Sequence, residues 1–441
     1  MISTLTSCSK ADWQKDKTVH NNYQFERLQL FGGSQEDTAH AVIATNDAGF
    51  AVLGNTKSID GDIEDKSNEV SDIILIKFNT SGKREWSKTY GGSEDDRGHS
   101  LVQLTDGGYA LLGYSMSADI DATENEGQHD NWVIRVDAAG TILWERSFGF
   151  SGHDHAYNII ATQDGGLLFN GFLDVTSSEG QGASSKAQMN SARHGVGEFW
   201  VHKIDLEGNI EWRYYFGGTN NDRSYDAVET SQGNFIVVGT SESNDVDISD
   251  ARGDYDVWVI KLNPEGQLLW EKSLGGSAYD GANAVALDVN ENIYILGHTL
   301  SQDADISSPI GNADIWLVKL NQGGELLHEL TYGGTSFDLG RDLIFDQQQR
   351  LWLCGYSRSN DVDFQTNQGD NDGFLIQLND NLLPQQTFTF GGNSTDLAHA
   401  LVVLEDLSLI VVGSTESTNT IFGNNHGNRD IFIARWHTVV E

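Results

Sequence analysis

The stretch Trp258 to Asp280, WVIKLNPEGQLLWEKSLGGSAYD, reads as an apolar strand, a tight turn on Pro264-Glu265-Gly266, a second strand, and a Gly-Gly corner closed by Asp280. The corner recurs as Gly32-Gly33 to Asp37, Gly91-Gly92 to Asp96, Gly217-Gly218 to Asp222, Gly333-Gly334 to Asp338 and Gly391-Gly392 to Asp396. A further copy, Gly149-Phe150 to Asp154, keeps the Asp and loses the second Gly. Successive first glycines are 59, 58, 68, 58, 58 and 58 residues apart, so one period runs through the chain with a single insertion in the third unit. A repeat of this length overrides a domain count based on 441 residues.

Within a unit the pattern predicts four strands. In the fourth, these are Ser224 to Thr230, Asn234 to Ser241, Val257 to Leu262 and Gln267 to Ser273. The second strand is almost continuously apolar (Phe235-Ile236-Val237-Val238-Gly239), as are Tyr109-Ala110-Leu111-Leu112-Gly113 and Leu409-Ile410-Val411-Val412-Gly413. Such runs mark strands covered on both faces. The third strand recurs as Trp132-Val133-Ile134-Arg135, Trp316-Leu317-Val318-Lys319 and Phe374-Leu375-Ile376-Gln377. Abundant glycine (48), scarce proline (3) and 43 aromatic residues suit many short strands joined by turns. Four-stranded units repeated seven times give an all-β, seven-bladed β-propeller over residues 23–441, with residues 1–22 as a truncated signal segment and polar tether. The chain stops after Phe432-Ile433-Ala434-Arg435 without an outer strand, while Phe25 to Phe31 stands before the first corner with no blade of its own. The N-terminal strand is therefore expected to close the last blade.

The order GGSxxD, strand, apolar strand ending in Gly, SxSxDxD and DxWxxKLxxxG resembles the seven-bladed β-propeller repeat family of bacterial extracellular proteins and lipoproteins. The resemblance covers residues 23–441 and implies the fold rather than an activity. Asn263-Pro264-Glu265-Gly266-Gln267-Leu268-Leu269-Trp270 is also similar to the tryptophan-docking turns of quinoprotein dehydrogenases and of the propeller lipoprotein that assists outer-membrane protein assembly. Those proteins have eight shorter blades, and the quinone enzymes use vicinal cysteines that this chain lacks. Leu5-Thr6-Ser7-Cys8 resembles the bacterial lipobox, which implies lipidation at Cys8, with Ser9 favouring the outer membrane. The upstream charged and apolar regions of a signal do not appear before it.

Sixty-five acidic against 27 basic residues leave a net charge of −38, which repels polyanions and disfavours nucleic acid as a partner. Cys354, in Leu351-Trp352-Leu353-Cys354, reads as a small buried hydrophobe. The loops between second and third strands fall on the same face as the corners and collect much of the acid. Four share one spacing: Asp119, Asp121 and Asp130; Asp245, Asp247 and Asp256; Asp303, Asp305 and Asp314; Asp361, Asp363 and Asp372. Asp60, Asp62 and Asp72 approximate it. Carboxylates on a glycine-hinged loop suit Ca²⁺, and equally serve as caps on loop amides. The Asp after each corner recurs in every unit and reads as structural.

Three residues beyond that Asp lies a variable position: His40, His99, Tyr157, Tyr225, Asn283, Arg341 and His399. These side chains are expected to ring the mouth of a central channel. His399, His40 and His99 come from adjacent blades and offer three imidazoles to zinc or a similar ion, while Arg341 and the tyrosines suit an anionic or sugar ligand. The third unit departs from the repeat at Gly152-His153-Asp154-His155 and in a swollen loop, Asp174 to Gly197, that carries Lys186, Arg193 and His194. A binding role for His153, His155, Arg193 and His194 follows from that departure, against the plainer reading of a Ser/Gly-rich insertion.

No nucleophile elbow, phosphate loop or metalloprotease helix is present, and no catalytic residue is assigned. The leading expectation is a non-catalytic binding or scaffold lipoprotein at the bacterial outer membrane or cell surface. It would bind an envelope protein or glycan through the acidic loop face and touch the membrane only through its lipid. A calcium-dependent polysaccharide lyase or hydrolase, and an accessory subunit of an outer-membrane assembly or transport complex, stay open.

Overall fold

Each repeat folds into one twisted, antiparallel, four-stranded blade, and the computed structural model, which describes residues 22–177, 195–419 and 425–439, arranges seven of them in a ring. Blade five shows the plan. Its strands β18 (Asp280–Leu287), β19 (Ile293–Thr299), β20 (Asp314–Leu320) and β21 (Leu326–Tyr332) run from the channel outward. The two central strands are buried along almost their whole length, as their apolar runs require, whereas β21 is exposed at its outer end.

The innermost strand of every blade carries a β-bulge at one fixed place. The register slips between Ala39 and Ala41, Gly98 and Ser100, Ala156 and Asn158, Ser224 and Asp226, Ala282 and Ala284, Gly340 and Asp342, and Ala398 and Ala400. The skipped residues are His40, His99, Tyr157, Tyr225, Asn283, Arg341 and His399. A bulge leaves its extra residue out of the ladder and re-aims its side chain. The glycine ending each apolar run answers the same feature: a Cβ on Gly297 would lie 1.8 Å from the carbonyl oxygen of Gly281, and one on Gly239 would lie 1.9 Å from that of Arg223.

The apolar core sits between blades rather than within them. Ile236 and Val238 of blade four pack with Ala282, Val285 and Ile295 of blade five, and the other blade junctions repeat this arrangement. At the rim, outer-strand tryptophans dock on the next blade. Trp144 Nε1 donates to Leu206 O at 2.9 Å, and Trp212 Nε1 donates to Pro264 O at 2.9 Å, with its ring over Gly266 at φ 77°. The turn that resembles a tryptophan-docking motif does act as one. Cys354 is a free, fully buried thiol. In the last sheet β26 (Asp396–Val403) pairs with β27 (Leu409–Thr415), β27 with β28 (Asp430–Val439), and β28 with strand β1 (Asn22–Phe31) from the N-terminal end, which closes the ring.

Candidate functional site: the channel mouth and blade junctions

The corner aspartates knit strands together on the loop face. Asp280 Oδ2 accepts from Gly276 N at 2.7 Å and from Ser301 Oγ at 2.8 Å, and its Oδ1 accepts from Thr299 Oγ1. Asp37, Asp96, Asp222, Asp338 and Asp396 make the same set with their own Ser or Thr pairs. Asp154 lacks the hydroxyls and accepts from two amides, Phe150 N and Asp174 N.

The loop carboxylates also address main-chain donors. Asp245, Asp303 and Asp361 accept from Thr219, Ser277 and Thr335 N at 2.8–2.9 Å, and Asp119 from Ser93 N at 2.9 Å. Asp121, Asp247, Asp305 and Asp363 take the amide of the first corner glycine at 3.0–3.3 Å. Asp130, Asp256, Asp314 and Asp372 each accept from the amide four residues earlier. Burial pushes Asp130 and Asp256 up to about 6. Every carboxylate in the predicted Asp set thus holds its loop to a corner or to itself, which makes the face stiff.

The bulge residues line a central cavity of ≈ 530 Å³. His399, His40, His99, Tyr157 and Tyr225 form a continuous arc, with neighbouring ring centroids 5.4, 5.2, 5.3 and 5.1 Å apart. Asn283 and Arg341 complete the ring, and Asn283 Nδ2 donates to Gly340 O at 2.7 Å. His99 Nε2, His399 Nδ1 and Arg341 Nε are buried and reach no protein partner. Burial drives His399 down to about 3, with Arg341 adding to the effect, and holds His40 and His99 well below the usual range. The channel therefore presents neutral imidazoles. Two acids behind the arc tie blades together: Asp226 Oδ2 accepts from Val285 N at 2.7 Å and Asp342 Oδ2 from Leu401 N at 2.9 Å. Burial raises them to about 8 and about 7.

These groups set a pH dependence. A carboxyl raised on folding contributes stability that is complete below its unfolded value near 4 and is lost as pH rises through its folded value. A histidine depressed on folding contributes stability present above about 6.5 and lost as pH falls. His40, His99, His202, His298 and His399 therefore oppose the carboxyls on the acid side, and Asp226 and Asp342 act above it together with Asp154, which burial raises to about 7. The unfolding midpoint is expected to peak between about pH 5 and 6.5 and to fall by pH 8.5 with a loss on the order of 2–3 kcal/mol. Asp226→Asn is expected to flatten the alkaline arm, and thermal melts across that range check it.

A second ring surrounds the mouth. At six blade junctions the residue before a third-strand acid lies bridged to the residue before the next corner Asp: Glu36 with Arg429, His129 with His153, Gly197 with Asn221, Tyr255 with Tyr279, Ala313 with Phe337, and Asn371 with Thr395. The main chain repeats and the side chains change. Tyr255 and Tyr279 lie 5.0 Å apart, and Tyr279 stacks on His298. Nearby Phe337 and Leu300 are 42% and 39% exposed, which makes blades four to six an aromatic and apolar sector. Across the mouth, a groove of ≈ 210 Å³ holds Lys57, Arg97 and Arg429, ion-paired to Glu36, Asp95 and Glu416.

Between blades two and three the ring is all histidine. His129 Nδ1 lies 2.7 Å from His153 Nδ1 and 3.0 Å from His155 Nε2. Among the described residues this is the one group of three such side chains whose ligand atoms fall within 4.8 Å of one another. The structure thus brings His153 and His155 together and adds His129, which the sequence reading passed over. The signal was present: aligning units on the residue before each third-strand acid isolates His129. Tyr279, His298, Asp226 and Asp342 were passed over too, since none stands at a position singled out by the repeat. Lys186, Arg193, His194 and Cys8 lie outside the described residues.

The fold and this ring define the class: a seven-bladed β-propeller with WD-repeat-like relatives. No family model matches the chain. It is similar to an uncharacterized WD repeat-containing protein of Acanthamoeba polyphaga mimivirus, 21% identical over 274 residues, covering 52% of this chain and 19% of that protein. It is also similar to the regulatory protein FlaEY of Caulobacter vibrioides, 22% identical over 344 residues, covering 70% of this chain and 35% of that one. The chain therefore spans about a fifth to a third of these relatives' length. Among solved structures, the WD40 domain of Neurospora crassa Pan2 matches with a TM-score of 0.50 at 10% identity, over 95% of this chain and 96% of that one. That likeness is one of fold.

Proposed function

We propose that this protein is a non-catalytic binding propeller that docks a partner protein on its loop face, around the channel mouth. The observation that carries this reading is the junction ring, where one repeated main-chain bridge presents a charged pair, a histidine pair, a tyrosine pair and an exposed phenylalanine in turn. Side chains that vary on a repeated, rigid mount suit recognition, because little conformational freedom is lost on binding. Exposed Phe337 and half-buried Tyr255 and Tyr279 suit the role of buried anchors in an interface. The surrounding acidic loops suit a partner with a basic rim, by charge complementarity. The WD-repeat-like relatives are in keeping with a scaffold role.

The proposal extends to the bacterial envelope. Leu5-Thr6-Ser7-Cys8 supports lipid attachment at Cys8 and display at the outer membrane or cell surface. The test is photo-crosslinking in the native cell from a probe at Phe337 on the mouth, with one at Gln322 in the turn of the opposite face as control. A discrete protein adduct from Phe337 alone is expected. Equal adducts from both faces, or none from Phe337, Tyr279 and Leu300, would sink the protein-docking reading, and a glycosidase-sensitive, protease-resistant adduct would move the partner to a glycan. In the same cells, Cys8→Ser should shift the protein from the membrane to the soluble fraction; an unchanged distribution removes the anchor.

A further inference from the structure

Three positions converge at each blade junction on the mouth: the residue before the third-strand acid, and the two residues flanking the next corner Asp. Six junctions hold Ser71, Asp95 and Arg97; Gly197, Asn221 and Arg223; Tyr255, Tyr279 and Gly281; Ala313, Phe337 and Leu339; Asn371, Thr395 and Leu397; and Arg429, Glu36 and Thr38. None of these contains a histidine. The junction between blades two and three holds His129, His153 and His155, three of the 13 histidines in the chain.

The geometry is that of a donor set. The main-chain bridge between His129 and His153 fixes two imidazoles side by side, and the start of the innermost strand delivers the third. His129 Nδ1 faces both His153 Nδ1 at 2.7 Å and His155 Nε2 at 3.0 Å. A shared proton can serve only one of these two close contacts at a time, because each neutral ring carries a single N–H and a single lone pair. An ion that accepts three lone pairs serves all of them at once. The rings are also held from behind: Tyr114 stacks on His155 with centroids 4.1 Å apart, Phe172 meets it edge-on at 5.4 Å, and the Tyr157 hydroxyl lies 3.5 Å from His155 Nδ1. A polar group on the far nitrogen of a ligating imidazole orients the ring and sets its tautomer. All three rings are half-buried, so solvent reaches the cluster.

We propose that His129 Nδ1, His153 Nδ1 and His155 Nε2 form a mononuclear site for a divalent transition ion of the zinc class. Three imidazoles suit Zn²⁺, Co²⁺, Ni²⁺ and Cu²⁺ over the hard cations, which prefer oxygen. Access from solvent leaves at least one coordination position for water or for a carboxylate or imidazole of a docked partner. This assignment stands on the junction itself and does not depend on the docking reading.

The test is titration of the chelator-treated full-length chain with Zn²⁺ against a competing dye, and with Co²⁺ followed by its d–d absorption. One equivalent is expected to bind. His129→Ala and His155→Ala should each weaken binding about 100-fold, and Tyr157→Phe about 10-fold, in line with outer-shell partners elsewhere. His328→Ala, on the outer rim, and His399→Ala, in the channel, should leave it unchanged. Metal-free melts of His129→Gln and His155→Gln, expected within a few degrees of the parent, separate lost ligation from lost fold. Absence of stoichiometric binding to the parent chain overturns the proposal, as does full binding by His129→Gln. Loss of binding with His399→Ala alone also overturns it, by moving the ion to the channel.

Discussion

Deleting residues 1–31 is expected to abolish the folded monomer. Strand β1 pairs with β28 from Asn22 opposite Val439 to Phe31 opposite Ile431, and among the described residues no other strand pairs with that edge. Tyr23 is 3% exposed, meets Trp352 of blade six edge-on at 4.8 Å, receives a bond from Arg350 Nη2 at 2.8 Å, and donates its amide to Gln386 Oε1 at 3.0 Å. Phe31, 4% exposed, belongs to the core between blades seven and one. Losing two buried aromatics costs about 3–5 kcal/mol each, before any cost of the opened ring. The bared edge of β28 is also a template for association. Size-exclusion chromatography should show aggregate, and the thermal transition should lose its cooperativity. A peptide spanning Asn22 to Phe31, added in trans, should restore a monomer by strand addition. A truncated chain melting within a few degrees of the parent would show that the ring does not need this closure.

Replacing one corner aspartate should cost nearly as much as a large core deletion. Asp280→Ala strands three buried donors, the amide of Gly276 and the hydroxyls of Thr299 and Ser301. An unsatisfied buried donor costs about 1–3 kcal/mol, so a loss of about 3–5 kcal/mol is expected. Ser301→Ala alone removes one arm while leaving the Asp in place, and should cost about 1 kcal/mol. Asp154→Ala in blade three, where the carboxylate serves two amides and no hydroxyl, should cost less than Asp280→Ala. Chemical denaturation of the three variants tests the order. Equal small losses would mean that the corner is held by its main chain and not by its side-chain clamp.

These two devices differ in how openly the chain displays them. The missing outer strand after Arg435 and the orphan strand before Gly32 announce the closure, because a blade needs four strands wherever its fourth comes from. The Asp of the corner is visible as a repeat, but its partners at 19 and 21 residues' distance, Thr299 and Ser301, acquire meaning only when the first and second strands pair. The ring of side chains at the channel was legible as a variable position three residues past each Asp. The bulge that aims it inward was not, since a bulge is a mismatch between two strands and has no signature in one of them.

The sequence by itself determined the number of blades, their strands and the place where the ring closes, because a 58-residue period leaves one architecture that buries every apolar run. It also placed the acid on one face, through the alternation of strand direction. Only the tertiary structure decided what that face presents. His129 and His153 are 24 residues apart, and Tyr255 and Tyr279 likewise; each pair meets because the loop of one blade lies against the corner of the next. Contacts between blades depend on ring curvature and loop path, and neither is written in the local pattern of any single repeat.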